Sequence, residues 1–262
     1  MKRSQNLHTP DSLGQKEIGR ETAIHEAGHA AGIYFGNRQK ALPVVFFRIY
    51  IQSSASGGNA SWLSGRANKQ CSAQIEGGRL IHALPYSFQE AVKHFTPAQK
   101  QDYERAFEAD MFNLLIGPVA EAKYVSLRDD EPHNFDLVHL DSLHFYGGAS
   151  DLEAINEYID CFLRGNALKD NKISDLFQAA CRFVSEPSYW RAITGLADAI
   201  LAAENQIIEY DAIVEILEQG QHIACVPNTQ PPACFRRQLM QPPDGEAQTA
   251  APADRSSIWR LS

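Results

Sequence analysis

The chain has 262 residues, 44% of them hydrophobic and 21% charged, a balance that suits a globular protein with a sizeable core. Its formal charge of -8 and pI near 5.6 exclude the broad basic face with which a nucleic-acid binder displaces counterions from phosphates. No apolar run approaches the ~18 residues needed to span a bilayer. The five cysteines are odd in number and form no CxxC pair, as expected of scattered reduced thiols in a cytoplasmic protein.

In chain order, residues 1–16 read as a polar leader without the apolar run of a secretory signal. Residues 17–35 read as a helix stopped by Gly36 and Asn37. "PVVFFRIYIQ" (43–52) is rich in β-branched and aromatic residues and reads as a strand. The turn-forming "SSASGG" then leads to a second short strand in "NASWLSG". Residues 66–95 carry no readable period. Thr96 and Pro97 have the chemistry of a helix cap and first helical position, opening a long helix to about Ile116. Gly117 and Pro118 are expected to kink or restart it. "RDDEPHNFDLVHLDS" is a polar, irregular connection. In "GGASDLEAINEYIDCFLRG", Leu152, Ile155, Ile159 and Phe162 recur at the spacing of one buried helical stripe, with Gly165 as the stop. Two or three further helices follow within "ISDLFQAACRFVS", "PSYWRAITGLADAILAAE" and "DAIVEILEQG". Residues 224–262 turn rich in Pro, Gln and Ala without periodicity and read as a poorly ordered tail. The expected fold is mainly α (α+β): a helical domain over 17–223 with a small β element beside its first helix.

The chemistry lies in "ETAIHEAGHAAG" (21–32). On a helix advancing ~100° per residue, His25 and His29 point the same way one turn apart. Their imidazoles can converge on one cation at ~2.0–2.1 Å, the usual zinc–nitrogen distance. Glu26 stands about a quarter turn away, beside such an ion and in the position of a general base; HExxH is a metalloprotease signature. Gly32 and Gly36 continue the histidine stripe and leave that surface nearly bare, as a substrate-facing helix requires. A catalytic zinc needs a third protein ligand and keeps one position for water. The candidates are Glu121, Asp151, and the group His133, Asp136, His139, Asp141 and His144, which suits a solvated loop better than a site. Glu121 would make a two-His, one-Glu hydrolase. Asp151, just after "GGAS", can be carried to the ion by flexible glycines, or can be a first-turn acid favoured by the helix dipole. Spacing does not separate the two.

"TAIHEAGHA" (22–30), "GPVAEAKY" (117–124) and "GGASDLEAI" (147–155) occur in the order found in the peptidase domain of the FtsH-type zinc metalloproteases. The closing "WRAITGLADAILAAENQIIEYDAIVEIL" resembles that domain's last helices, so the likeness covers about residues 20–220. It implies a helical, zincin-like domain binding Zn2+ through His25, His29 and Asp151, with Glu26 as catalytic base and Glu121 supporting the ligands. The family's "GASNDL" stands here as "GASDL", one residue shorter, and residues 57–95 have no counterpart. No GxxxxGK[ST] loop or membrane anchor accompanies the motif, so coupling to ATP hydrolysis would require a separate partner.

The expected function is zinc-dependent hydrolysis of unfolded or flexible polypeptides, with the strand at 43–52 offering an edge for an extended peptide. The alternatives are a catalytically silent, metal-stabilised binding domain and the two-His hydrolase that uses Glu121.

Overall fold

The computed structural model describes residues 11–53, 71–131, 139–163, 166–203 and 207–222. The first long helix, α1 (Asp11–Ala31), passes through a π-helical turn (Gly32–Gly36) into the short α2 (Asn37–Gln39). Gly36 and Asn37 therefore do not stop it. Gly36 keeps right-handed backbone angles, and its bare face lies against the Phe112 ring. Asn37 is buried, with its Oδ1 accepting from Asn113 Nδ2 at 3.4 Å. The chain turns away only afterwards, at Ala41 (φ 51°).

Strand β1 (Phe47–Ser53) pairs antiparallel with β2 (Cys71–Gly77), from Phe47 opposite Gly77 to Ser53 opposite Cys71. On its other side Ile49 and Tyr50 pair with the two-residue β3 (Ile207–Ile208). Phe47, Ile49 and Ile51 are buried while Arg48 and Tyr50 alternate outward, so the sheet has one core face. The strand order β2-β1-β3 puts the expected peptide-pairing strand in the middle and, among the described residues, makes β2 an edge. β2 comes from the stretch without readable period, and the strand expected in 59–65 lies outside the described residues.

The short α3 (Phe88–Ala91) precedes α4 (Pro97–Arg128), whose start is a full capping box. The Thr96 hydroxyl accepts from Gln99 N, and the Gln99 side chain accepts from Thr96 N. Helix α4 runs through Gly117 and Pro118 without ending. Gly117 has no Cβ for the following pyrrolidine ring to crowd, which removes the usual obstacle to a helical residue before proline. A 3₁₀ turn (Leu140–Phe145) leads to α5 (Ala149–Phe162), where Ile155, Ile159 and Phe162 are buried as the stripe predicts. Helices α6 (Asn166–Ser185), α7 (Pro187–Ala202) and α8 (Tyr210–His222) complete the bundle. Helix α1 packs on α4, α7 and β2, and α4 also carries α5 and α6. Gly28 and Gly32 lie against Ile116, Asn113 and Ala120, so the bare stripe of α1 serves close helix packing rather than an open surface. Among the described residues, no helix is long and apolar enough to cross a membrane.

Lys123 on α4 is buried in this bundle. Its ammonium donates to Val184 O at 2.8 Å and lies 4.4 Å from the Trp190 ring centroid. Burial pulls its pKa down to about 8 from the ordinary 10.5. The folded state must therefore hold the charge at a cost below about pH 8, and that cost is gone above 10.5, where both states are neutral. Lys123→Met should gain stability relative to wild type at pH 7, with the advantage shrinking as pH approaches 10.5. Urea unfolding across that range measures it, and a pH-independent difference would exclude the charge as the cause.

Candidate metal centre

Three elements meet at the HEAGH turn. Helix α1 carries His25, Glu26 and His29, α4 passes behind them, and the first turn of α5 brings Asp151. Ligand atoms of His25, His29 and Asp151 all lie within 4.8 Å of one another, so this group can hold a metal ion. The two Nε2 atoms face each other at 3.0 Å. Asp151 Oδ2 is 3.2 Å from His25 Nε2, and its Oδ1 is 3.4 Å from His29 Nε2. All three side chains are largely withdrawn from solvent, at 9%, 13% and 12% exposure.

What aims the imidazoles is on their far sides. His29 Nδ1 donates to the backbone carbonyl of Asn113 at 2.8 Å, and a carbonyl can only accept. That fixes the proton on Nδ1 of the neutral ring and leaves Nε2 as a lone pair. His25 Nδ1 lies 2.9 Å from Glu121 Oε2, where an Nδ1–H donates to the carboxylate. Both rings therefore turn Nε2 toward Asp151, the arrangement of carboxylate- or carbonyl-backed metal histidines. Glu121 is on the wrong side of His25 to share its Nε2. The geometry thus separates what spacing left open: Asp151 stands with the ligand atoms and Glu121 behind one of them.

The donor set also explains its own electrostatics. Burial alone would lower the pKa of His25, but Asp151 and Glu121 on either side outweigh it and push it up to about 10. Burial would raise Asp151, yet the hydrogen bonds and charge of His25 and His29 hold its carboxyl well below the usual carboxylate range. Without a cation, a proton on His25 keeps two nitrogen lone pairs and a carboxylate from confronting one another. A divalent ion suits the same position, because it replaces that proton and compensates two buried carboxylates.

Glu26 stays apart from the donor set. It is half-buried, and its Oε2 accepts from Ile75 N at 3.0 Å, tying the carboxylate to the outer edge of β2. The cavity beside it, about 390 Å³, is lined by His25, Glu26, His29, Gln74, Ile75 and Asp151 among others. His139, Asp141 and His144 are exposed and take no part in the group, and the His144 ring is held by the Asp141 carbonyl. His133 and Asp136 lie outside the described residues. The residues that sequence reasoning missed are Asn113, whose backbone carbonyl gives no side-chain signal, and Gly117 and Gly147, which make room. A Cβ on Gly117 would come within 2.4 Å of His29 Nε2. Gly147, at φ +68°, covers the His25–Glu121 pair, and a Cβ there would meet Glu121 Oε2 at 2.7 Å.

No family model, curated protein or solved structure matches this chain.

Two outcomes follow from the geometry. Gly117→Ala should drive the His29 ring out of line and weaken binding of a divalent metal, probed with Zn2+, by at least ~10-fold, a typical cost of disturbing the shell behind a ligand. Circular dichroism should stay helical; unchanged affinity, read with a chromogenic chelator competitor, would contradict the packing described. Zn2+ uptake at pH 7 should also release about one proton, because His25 gives up the one it carries. The sign is that of a raised histidine: the protonated pair stabilises the metal-free fold fully below pH 6.5 and is lost as pH rises through about 10. Metal affinity should climb with pH over the same window. Calorimetry in buffers of different ionisation enthalpy counts the proton, and a count of zero would refute this account.

Proposed function

We propose that the chain is a zinc-dependent metallopeptidase of the HExxH type, with a zincin-like site resembling the FtsH-type peptidase domain. The observation that carries this reading is the division of labour around His25 and His29. Both Nε2 atoms converge on Asp151, while the adjacent acid, Glu26, is left out of the donor set and faces the cleft. A purely structural metal site would have no use for a carboxylate held beside the ion without ligating it.

His25, His29 and Asp151 would hold the ion; Glu121 and the Asn113 carbonyl orient the two rings. When bound, zinc supplies Lewis acidity toward a scissile carbonyl and toward water. Glu26 takes the proton from water and returns it to the leaving amine, a role worth typically ~10²–10⁴-fold in rate. Its hydrogen bond to Ile75 N holds it at the border between the donor group and β2, where water and peptide would meet.

The substrate reading follows from β2. The Ile75 amide points away from β1, and the same outer edge lines the cavity. Glu26 occupies the Ile75 amide itself, so an extended peptide would pair with the remaining outward groups of that edge as a further strand, gaining main-chain hydrogen bonds. A folded substrate offers no such segment, so unfolded or flexible polypeptide is the class that fits. Folded targets would first have to be unfolded.

The test uses the zinc-loaded protein and casein. Glu26→Gln should keep the metal and lose at least ~100-fold in hydrolysis. Asp151→Asn should release the metal, and Glu121→Gln should weaken its binding less, by ~10–100-fold. Retained hydrolysis in Glu26→Gln would remove the proposed base. Full zinc occupancy without hydrolysis in the wild type would favour a silent, metal-stabilised domain.

A further inference from the structure

We infer that Arg79 forms a carboxylate-recognising subsite at the end of the cleft, about three peptide residues from the scissile bond; this rests on the peptidase reading above. Among the described residues, the cavity beside the donor group is lined by four acids, Glu26, Asp110, Glu121 and Asp151, and by one arginine or lysine, Arg79. Arg79 is exposed, and among the described residues no carboxylate forms an ion pair with it. Its guanidinium carbon lies 5.6 Å from the centroid of the Tyr158 ring, and its charge also favours the ionised form of the nearby Asp110 carboxylate.

The backbone around Arg79 is held on both flanks. Before it, Gly78 N donates to Phe46 O at 3.1 Å. Gly78 has φ +79°, and a Cβ there would strike Ile33 Cδ1 at 2.6 Å, so only glycine makes this turn off the end of β2. After it, Leu80 N and Ile81 N donate to the two oxygens of Asp110 at 2.9 and 2.8 Å. Asp110 is 2% exposed, and its Oδ2 lies 3.1 Å from the Tyr158 hydroxyl. A buried carboxylate with these partners is a clamp on the loop. The backbone that carries Arg79 is thus fixed, and less entropy is lost when the residue binds.

The distance follows from α4. Asp110 lies two turns before Gly117, the residue that faces His29. Two turns are roughly 10 Å along the axis, and roughly 10 Å is about three residues of extended chain. β2 runs alongside α1 over the same span, with Ile75 at Glu26 and Gly78 at Ile33, so a peptide lying on its edge would reach Arg79 about three residues from the reacting bond. A planar, bidentate donor at that point selects a carboxylate. The carboxylate can belong to an acidic side chain or to the peptide's C-terminus, and the test separates them.

The probe is a pool of random decapeptides with blocked N-termini in three versions. The first has Glu as its only acid and an amidated end, the second has Gln for Glu with the amide, and the third has Gln with a free C-terminus. Binding to the zinc-loaded Glu26→Gln protein is measured by competition, and cleavage sites of the wild type are mapped by mass spectrometry. The expected result is about ten-fold tighter binding of one carboxylate pool over the neutral pool, weakening at high salt because the group is exposed. A preference for the first pool assigns a side chain, and a preference for the third assigns a chain terminus. Arg79→Gln should bring the ratio to about one, and Arg79→Glu should reverse it. Equal binding of all three pools, or a preference untouched in both variants, overturns the subsite. Cleavage without carboxylate preference defeats this inference and leaves the peptidase reading standing. Preference without any cleavage defeats the peptidase reading, and with it the position assigned relative to a scissile bond, and leaves only carboxylate binding at Arg79.

Discussion

An imidazole has two nitrogens, and whatever holds one decides what the other can do. In this chain the holding groups for both histidines come from α4: the Asn113 carbonyl behind His29 and the Glu121 carboxylate behind His25. The rest of the architecture answers to that requirement. For α4 to reach both rings it must lie against α1 along the His25–Gly36 stretch, which the side-chain-free face of Gly28 and Gly32 permits. Gly117 then leaves the space that the His29 ring fills. With the rings fixed from behind, Asp151 needs only to arrive in front, and the first turn of α5 delivers it.

The same packing sets the charge balance. Two carboxylates and two imidazoles share a region with little access to water, and the two acids favour a proton on His25 in the metal-free arrangement. That proton stands where a divalent cation fits, so the site is prepared by its own electrostatics for exchanging one for the other. Glu26 escapes this exchange because its partner is a backbone amide on the sheet rather than an imidazole. The sheet is thereby part of the site. Its outer strand fixes the free acid at one end of the cleft, and the clamp of Asp110 on the following loop fixes the other.

Helix periodicity, the Thr96–Pro97 cap and the stripe of α5 were legible in the sequence because they depend on neighbours within one or two turns. The histidine pair and its adjacent acid were legible for the same reason, since a spacing of four residues on a helix is already a geometry. Gly36–Asn37 and Gly117–Pro118 misled, as both carry local stop chemistry. Contacts with Phe112 and Asn113 carry the first helix onward, and Gly117 itself accommodates the proline that follows. Strand β2 was invisible because "CSAQIEG" has no strong alternation; pairing with β1 and packing on α1 make it a strand.

The choice between Asp151 and Glu121 shows the boundary most plainly. Both acids lie far from the histidines in the chain, and no local period relates either to α1. By itself the sequence determined that two imidazoles would share one helix face with a carboxylate beside them. Only the tertiary structure decided which distant acid meets Nε2 and which backs Nδ1. That assignment depends on how α4 and α5 are placed against α1, a relation set by packing across the core and written in no single segment.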